Sequence, residues 1–113
     1  MKFLSCVAML CLVTAPAFAS AHLVRSVPIN GAKVKAPRRI VLTFNEAVEP
    51  AFSGAMVLDD TGRNLTGEPV RFSGRTMSLR PDRLEPGHYQ VSWHSVGHDG
   101  KRREGRVRFT VRR

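Results

Sequence analysis

Residues 86–111 read PGHYQVSWHSVGHDGKRREGRVRFTV, and the pattern of these residues indicates the fold class. Its apolar side chains alternate with polar ones in two runs, first Tyr89, Val91 and Trp93, and then Val107, Phe109 and Val111. Side chains alternate between the two faces of a β-strand, so each run predicts a strand with one buried face. The intervening segment, residues 97–100, has the composition of a turn, with a glycine at each end.

The same alternation recurs along the rest of the chain. It predicts strands at Leu23–Val27, Arg39–Phe44, Ala55–Leu58, Val70–Phe72, Thr76–Leu79, His88–Trp93 and Gly105–Val111. Glycine-containing turns at residues 59–62 and 73–75 separate neighbouring strands. About seven short strands, with no amphipathic helical stripe after residue 21, predict an all-β protein built as a small antiparallel sandwich.

The amino-terminal segment has the features of a cleaved signal peptide. Lys2 supplies a positive charge, and the apolar stretch FLSCVAMLCLV that follows is too short to span a membrane. Two cut sites compete: a cut after Ala19 would release Ser20, and a cut after Ala21 would release His22. We predict the second cut, which makes residues 1–21 the signal peptide and residues 22–113 a single exported domain.

Cysteine usage and charge exclude several kinds of function. Cys6 and Cys11 both lie in the signal peptide, so the mature chain has no disulfide, thiolate metal site or cysteine nucleophile. The whole chain carries a formal net charge of +9, with much of the excess in residues 101–113. Export argues against a nucleic-acid partner, and so does the lack of aromatics that share the face of these arginines. The arginines indicate either a solvated strand face or a weak contact with anionic membrane surfaces and other envelope polyanions.

His22 is the most informative of the four histidines. As the first residue of a mature chain it would offer two nitrogens, the α-amine and the imidazole, to one metal ion. Cu(II) favours nitrogen and oxygen ligands in a tetragonal arrangement. His98 lies in the predicted turn beside Asp99. His88 and His94 fall on the solvent face of their predicted strand, which is typical of histidines without a metal.

A catalytic site is not indicated by the spacing of the reactive residues. No serine lies in a nucleophile elbow, no carboxylate pair suits acid–base work, and no glycine-rich loop suits phosphate. We therefore expect a binding protein and not an enzyme.

Three segments together resemble the CopC family of periplasmic copper-resistance proteins: HLVRSVPINGAKV, IVLTFNEAVEPAFSGAMVLDDTG and LEPGHYQVSWHSVGHDGKRREGRVRFTV. They cover nearly the whole mature chain in the family's order. The resemblance implies a Greek-key (immunoglobulin-like) β-sandwich, a periplasmic location and copper, as Cu(II), for the bound ion. It also implies copper buffering, copper resistance or delivery to a membrane partner of the CopD type. We expect the protein to be a monomer.

The resemblance also assigns site residues. His22 matches the family's amino-terminal histidine, Asp99 its aspartate ligand, and Glu46 a glutamate at or beside the same site. One position departs from the pattern, because the family's histidine two residues after the aspartate is Lys101 here. An ammonium group has no lone pair for a metal. His98 could supply the missing imidazole if a turn brings it round, so the candidate metal ligands are His22, Asp99, Glu46 and His98.

Two other functions stay open on the sequence. With Lys101 in place of a ligand, the chain could have lost its metal and serve as an interaction module of the cell envelope through its basic face. A terminal histidine also occurs in some copper-dependent secreted oxygenases, although this chain offers no flat aromatic platform for a substrate. Met56 and Met77 stand apart, unlike the methionine-rich Cu(I) segment of some family members, and we expect both to pack in the core.

Overall fold

The computed structural model describes residues 21–113, so the predicted signal peptide lies outside the described residues except for Ala21. The strands, numbered in chain order, are β1 (Leu23–Val27), β2 (Ala32–Val34), β3 (Ile40–Phe44), β4 (Gly54–Asp59), β5 (Arg71–Ser73), β6 (Thr76–Leu79), β7 (Gly87–Val96) and β8 (Arg102–Val111). A 3-10 turn, Pro50–Phe52, precedes β4. Within this part of the chain, no helix has the length and apolar character needed to cross a membrane.

The eight strands described form two four-stranded sheets. One sheet has the order β1-β3-β6-β5, and the other has the order β2-β8-β7-β4. Neighbouring strands pair antiparallel except for β2 and β8, which run parallel. The predicted β-sandwich is confirmed.

All seven predicted strands are present, and the predicted bounds of β1 and β6 are those of the structure. The strands β7 and β8 are longer than predicted, since β7 continues to Val96 and β8 begins at Arg102. Only residues 97–101 therefore connect them. Strand β2 was not predicted, because its three residues are too few to show an alternation and they pair with Phe109–Val111 near the other end of the chain.

The core lies between the two sheets. The first sheet contributes five fully buried side chains, Ile40, Leu42, Phe44, Met77 and Leu79. The second sheet contributes seven buried side chains, two of them, Tyr89 and Trp93, with a small exposed part; the seven are Val57, Tyr89, Val91, Trp93, Val107, Phe109 and Val111. The rings of Phe44 and Trp93 meet edge to face across the sandwich, with centroids 5.2 Å apart. The inward positions predicted for β3, β7 and β8 are confirmed, and burial of this apolar surface is the main favourable term in folding.

The prediction for the two methionines is half right. Met77 is fully buried, but Met56 is 40% exposed, so the expectation that it packs in the core is wrong. Its neighbour Val57 takes the inward position on β4 and is fully buried. Because successive side chains of a strand point to opposite faces, Met56 lies on the outer face of the sheet, paired with Ser92.

Gly105 makes room for the indole of Trp93. The two residues pair between β7 and β8, and a Cβ at Gly105 would lie 2.6 Å from Trp93 Cζ2. Because Gly105 has no side chain, the indole can lie directly against β8 at this position. The indole Nε1 is buried and has no hydrogen-bond partner among residues 21–113.

Ala21 belongs to the folded domain. Its side chain is fully buried and forms part of the core cluster, although the sequence predicts it as the last residue of the signal peptide. The cut after Ala21 stays a prediction, but such a cut would take a core residue away from the sandwich.

Candidate metal site

Three segments meet at one edge of the sandwich: the chain entering β1, the residues that follow β3, and the turn between β7 and β8. The first two are joined by a reciprocal pair of hydrogen bonds. The His22 N–H donates to Asn45 Oδ1 at 2.8 Å, and the Asn45 N–H donates to the His22 carbonyl at 3.0 Å. This pair continues the β1–β3 pairing by one step and fixes the backbone of His22.

Glu46 joins the second segment to the third. Its Oε1 accepts a hydrogen bond from the His98 N–H at 3.0 Å. The turn that carries His98 is closed by the Gly100 N–H, which donates to the Gly97 carbonyl at 3.0 Å. Gly100 has a φ of 77°, in the left-handed region that favours glycine. The turn predicted around His98 is therefore confirmed.

Asp99 is engaged within the same turn. Its Oδ1 accepts a hydrogen bond from the Lys101 N–H at 2.9 Å, the local pattern by which aspartate stabilises a turn. Lys101 is thus held close to Asp99 through its backbone. One oxygen of each candidate carboxylate, Glu46 and Asp99, is already bonded to a backbone N–H.

Ser95 holds the amino-terminal segment from the core side of the sandwich. Its side chain is fully buried, on the inward face of β7, and its hydroxyl donates a hydrogen bond to the Ala21 carbonyl. A buried hydroxyl requires a partner, because an unsatisfied polar group in an apolar surrounding is costly. Ser95 and Asn45 together hold the backbone on both sides of the His22 nitrogen.

The structure brings the four predicted ligands to one edge without gathering their side chains. His22, His98 and Asp99 are exposed, and Glu46 is half-buried. In the described part of the chain, no three His, Cys, Asp or Glu side chains lie close enough to hold a metal ion. A site made of these side chains would require some of them to rotate toward His22.

His88 and His94 lie away from the inward face, as predicted. His88 is exposed, with Nδ1 3.1 Å from Thr110 Oγ1. His94 is half-buried on the outer face, over Gly54. Partial burial lowers the pKa of His94 below its usual value of 6.5, and the charge of Arg102 lowers it further, while Glu104 acts in the opposite direction.

A shallow apolar recess lies beside the edge. Phe52, in the 3-10 turn, is 65% exposed and lines the recess together with Val96 and His98. The position of the 3-10 turn is fixed because the Glu49 N–H donates to the Val96 carbonyl and the Val96 N–H donates to Ser53 Oγ. An exposed aromatic ring therefore stands next to the residues predicted to bind metal.

Sequence reasoning missed Asn45 and Ser95. Ser95 did carry a signal, because it continues the inward series Tyr89, Val91, Trp93 and is the polar residue in an otherwise apolar set. A polar side chain at an inward position of a strand predicts a specific buried partner. Nothing in the sequence indicates that this partner is the Ala21 carbonyl.

These features define a class of protein: a small β-sandwich whose loops and chain entry hold polar and ligand-type residues at one edge. The family model of the CopC domain matches residues 23–112, nearly all of the described part. The chain belongs to the CopC family.

The chain is similar to several relatives along most of its length. It is 37% identical over 106 residues to protein YobA of Escherichia coli strain K12, covering 89% of this chain and 86% of the relative. It is 31% identical over 110 residues to copper resistance protein C of Xanthomonas campestris pv. juglandis, covering 89% and 87%.

Solved structures show the same fold. The crystal structure of CopC from Methylosinus trichosporium OB3b superposes with a TM-score of 0.75 at 32% identity, covering 81% of this chain and 93% of that one. The methionine-rich copper resistance protein PcoC from Escherichia coli superposes with a TM-score of 0.73 at 30% identity, covering 83% and 100%.

Proposed function

We propose that this protein is a periplasmic copper-binding protein that holds Cu(II) at the amino-terminal end of its mature chain, with His22 as the ligand on which binding depends. The observation that carries the proposal is the chain of contacts from His22 to Asn45 and from Glu46 to His98, which keeps the candidate ligands at one edge. Similarity to proteins named for copper resistance supports copper as the ion.

The donor types suit Cu(II). An imidazole nitrogen and carboxylate oxygens are common ligands for this ion, and tetragonal geometry accepts them together. If the signal peptide is cut after Ala21, as the sequence predicts, His22 also carries an α-amine, whose pKa in model peptides is about 7.7, and copper must displace its proton. Asp99 and Glu46 then give oxygen ligands or orienting hydrogen bonds, and His98 is the candidate for the missing imidazole.

Lys101 distinguishes this chain from the family pattern. Its ammonium group has no lone pair and therefore offers no ligand to a metal. The residue therefore removes one imidazole from the donor set and places positive charge beside Asp99. The proposal relies on His22 for this reason.

Binding without catalysis implies a role in copper buffering, copper resistance or delivery to a membrane partner of the CopD type. Delivery requires the metal to stay accessible, and His22 is exposed at the edge of the sandwich. The exposed ring of Phe52 beside that edge provides an apolar contact for such a partner. We propose that the protein acts as a monomer.

The experiment is a Cu(II) competition titration of the exported protein and two variants. His22→Ala should lose tight Cu(II) binding. His88→Ala, which removes an exposed histidine from β7, should keep it. An affinity unchanged by His22→Ala would place the copper site elsewhere on the protein.

A second function is supported by the outer face of β8, where Arg102, Arg106 and Arg108 are exposed and outnumber Glu104, which pairs with Arg102 at 3.3 Å. Such a row attracts anionic surfaces, with a strength that falls as salt rises. Salt-sensitive binding to anionic vesicles, combined with a melting temperature that copper leaves unchanged, would support an envelope interaction module in place of a copper-binding protein.

A further inference from the structure

We propose that a recess on the outer face of the first sheet binds a phosphate group, as the free anion or as part of a lipid headgroup. The donors are the guanidinium groups of Arg39, Arg71 and Arg80 and the hydroxyl of Ser78. This function goes beyond copper binding and uses none of the candidate metal ligands. The recess lies at the other end of β3 from the candidate metal site, because Arg39 precedes that strand and Asn45 follows it.

Strand pairing places two arginines and the serine on one face. Ser78 of β6 lies opposite Arg71 of β5. The neighbour of Ser78, Met77, is fully buried in the core, so Ser78 points to the outer face. Arg80 stands two residues further along the chain and is exposed. Since residues two apart share a face, Arg71 and Arg80 are diagonal neighbours across Ser78.

Arg39 joins the same face from β3. Ile40 pairs with Leu79, and both side chains are fully buried. Arg39 and Arg80 stand one step beyond this pair and are exposed. The Arg39 Nη2 donates a hydrogen bond to Ser78 Oγ at 3.4 Å, which leaves the hydroxyl proton of Ser78 for another acceptor. The three guanidinium groups therefore surround one serine hydroxyl.

The recess is a concave space of about 270 Å³, lined by these four residues together with Glu68 and Pro69. The segment before β5 closes one side, because the N–H groups of Gly67 and Glu68 both donate to the Arg80 carbonyl, at 2.8 and 3.2 Å. A Cβ at Gly67 would lie 2.9 Å from that carbonyl oxygen, so this close approach requires a glycine. The wall beside Arg80 is therefore fixed by the backbone.

The positive charge of the recess exceeds the negative charge that the protein supplies. Glu68 Oε2 lies 3.9 Å from Arg80 Nε, and both side chains are more than half exposed, so the pair is loose. Among residues 21–113, no carboxylate lies within salt-bridge distance of Arg39 or Arg71. Like charges on adjacent strands repel each other. A bound anion would remove this repulsion, and the fork of donors on arginine matches the oxygens of phosphate.

A wider groove continues the positive surface beside the recess. It has a volume of about 880 Å³ and shares Glu68 and Arg80 with the recess. It adds three basic residues and one acidic residue, namely Lys35, Arg38, Arg83 and Asp82. Basic side chains along a groove raise the local concentration of anions. This surface is separate from the arginines of β8, which belong to the other sheet.

The first test is a titration with inorganic phosphate alone, followed by nuclear magnetic resonance at constant ionic strength, which keeps general screening unchanged. The Nε–H signals of Arg71 and Arg80 should shift and reach saturation. The signal of Arg106, an exposed arginine on β8, should stay in place. Shifts of equal size at all three arginines, without saturation, would reject a phosphate site in the recess.

Variants at exposed positions make the second test. Arg71→Gln should weaken phosphate binding by about tenfold, as expected for the loss of one hydrogen bond to a charged group. Glu68→Gln should tighten binding by about threefold, because its carboxylate competes with phosphate for Arg80. Arg106→Gln and His22→Ala should bind phosphate as the unchanged protein does. Weaker binding in Glu68→Gln, or equal losses in Arg71→Gln and Arg106→Gln, would contradict the proposal.

Vesicles of phosphatidylglycerol in phosphatidylcholine distinguish the two sources of phosphate. If the ligand is a lipid headgroup, Arg71→Gln should reduce vesicle binding by about fivefold, the usual effect of one cation near an anionic membrane, and Arg106→Gln should reduce it less. Saturable binding of inorganic phosphate, with vesicle binding that does not depend on Arg71, would assign the free anion. No saturable phosphate binding, together with vesicle binding that Arg71→Gln leaves intact, would overturn the proposal.

Discussion

The carboxylate of Glu46 accepts a hydrogen bond from the backbone N–H of His98, 52 positions away, at 3.0 Å. This bond ties the residues after β3, in one sheet, to the turn between β7 and β8, in the other. Because Asn45 is bonded to His22, the same short segment reaches both histidines of the candidate site. The edge therefore depends on residues 45 and 46 for its arrangement.

Replacement of Glu46 tests this arrangement. Glu46→Ala should lower the free energy of unfolding by about 1 kcal/mol, the usual net value of such a bond, whereas Glu46→Gln keeps an acceptor oxygen and should lose less than half of that. Urea unfolding measures both. Equal losses in the two variants would show that charge, and not the bond to His98, makes the contribution.

Gly105→Ala should destabilise the sandwich. The added methyl would lie 2.6 Å from the indole of Trp93, and overpacking of this kind costs about 1–3 kcal/mol. Gly54→Ala is the matched control, since it is also a strand glycine paired with β7 and its new methyl meets the half-buried ring of His94 at 3.1 Å, which can move. Thermal unfolding should show a larger drop in melting temperature for Gly105→Ala than for Gly54→Ala. Similar drops in the two variants would mean that the indole moves to accommodate the new methyl group.

His94 should make stability depend on pH. Partial burial, with the charge of Arg102, lowers the pKa of His94 in the folded protein below 6.5, so the unfolded chain binds this proton more readily. The free energy of unfolding should therefore fall as pH drops through 6.5 toward the lower folded pKa. His94→Gln should flatten this slope between pH 7 and the folded pKa, and His88→Gln should preserve it. An identical slope in all three proteins would assign it to other groups.

Cu(II) should quench the fluorescence of Trp93, the single tryptophan of the chain. Trp93 lies two residues before Ser95 on the inward face of β7, about 7 Å along the strand, and Ser95 contacts the residue before His22. A copper ion at His22 is thus within range of the indole. Zn(II) is the control, because it lacks unpaired electrons. Quenching that persists in His22→Ala would locate the ion at another site.

Much of the fold could be predicted because its strands carry a local signal. The alternation in β3, β7 and β8 shows which residues point inward without any knowledge of their partners. This alternation could not predict strand β2 or the outward position of Met56. Strand β2 forms only because residues 32–34 pair with Phe109–Val111. The outward position of Met56 depends on the register that places Val57 in the core.

The candidate site likewise has features that the sequence shows directly and features that depend on the fold. The candidate ligands His22, Glu46, Asp99 and His98 could be proposed from the sequence alone, because their residue types and positions are read directly from it. The burial of Ala21 in the core, and the hydrogen bonds by which Ser95 and Asn45 hold the backbone around His22, became visible only in the folded protein. Strand alternation is a property of neighbouring residues, whereas these contacts join residues far apart in the chain and exist only when both sheets are packed.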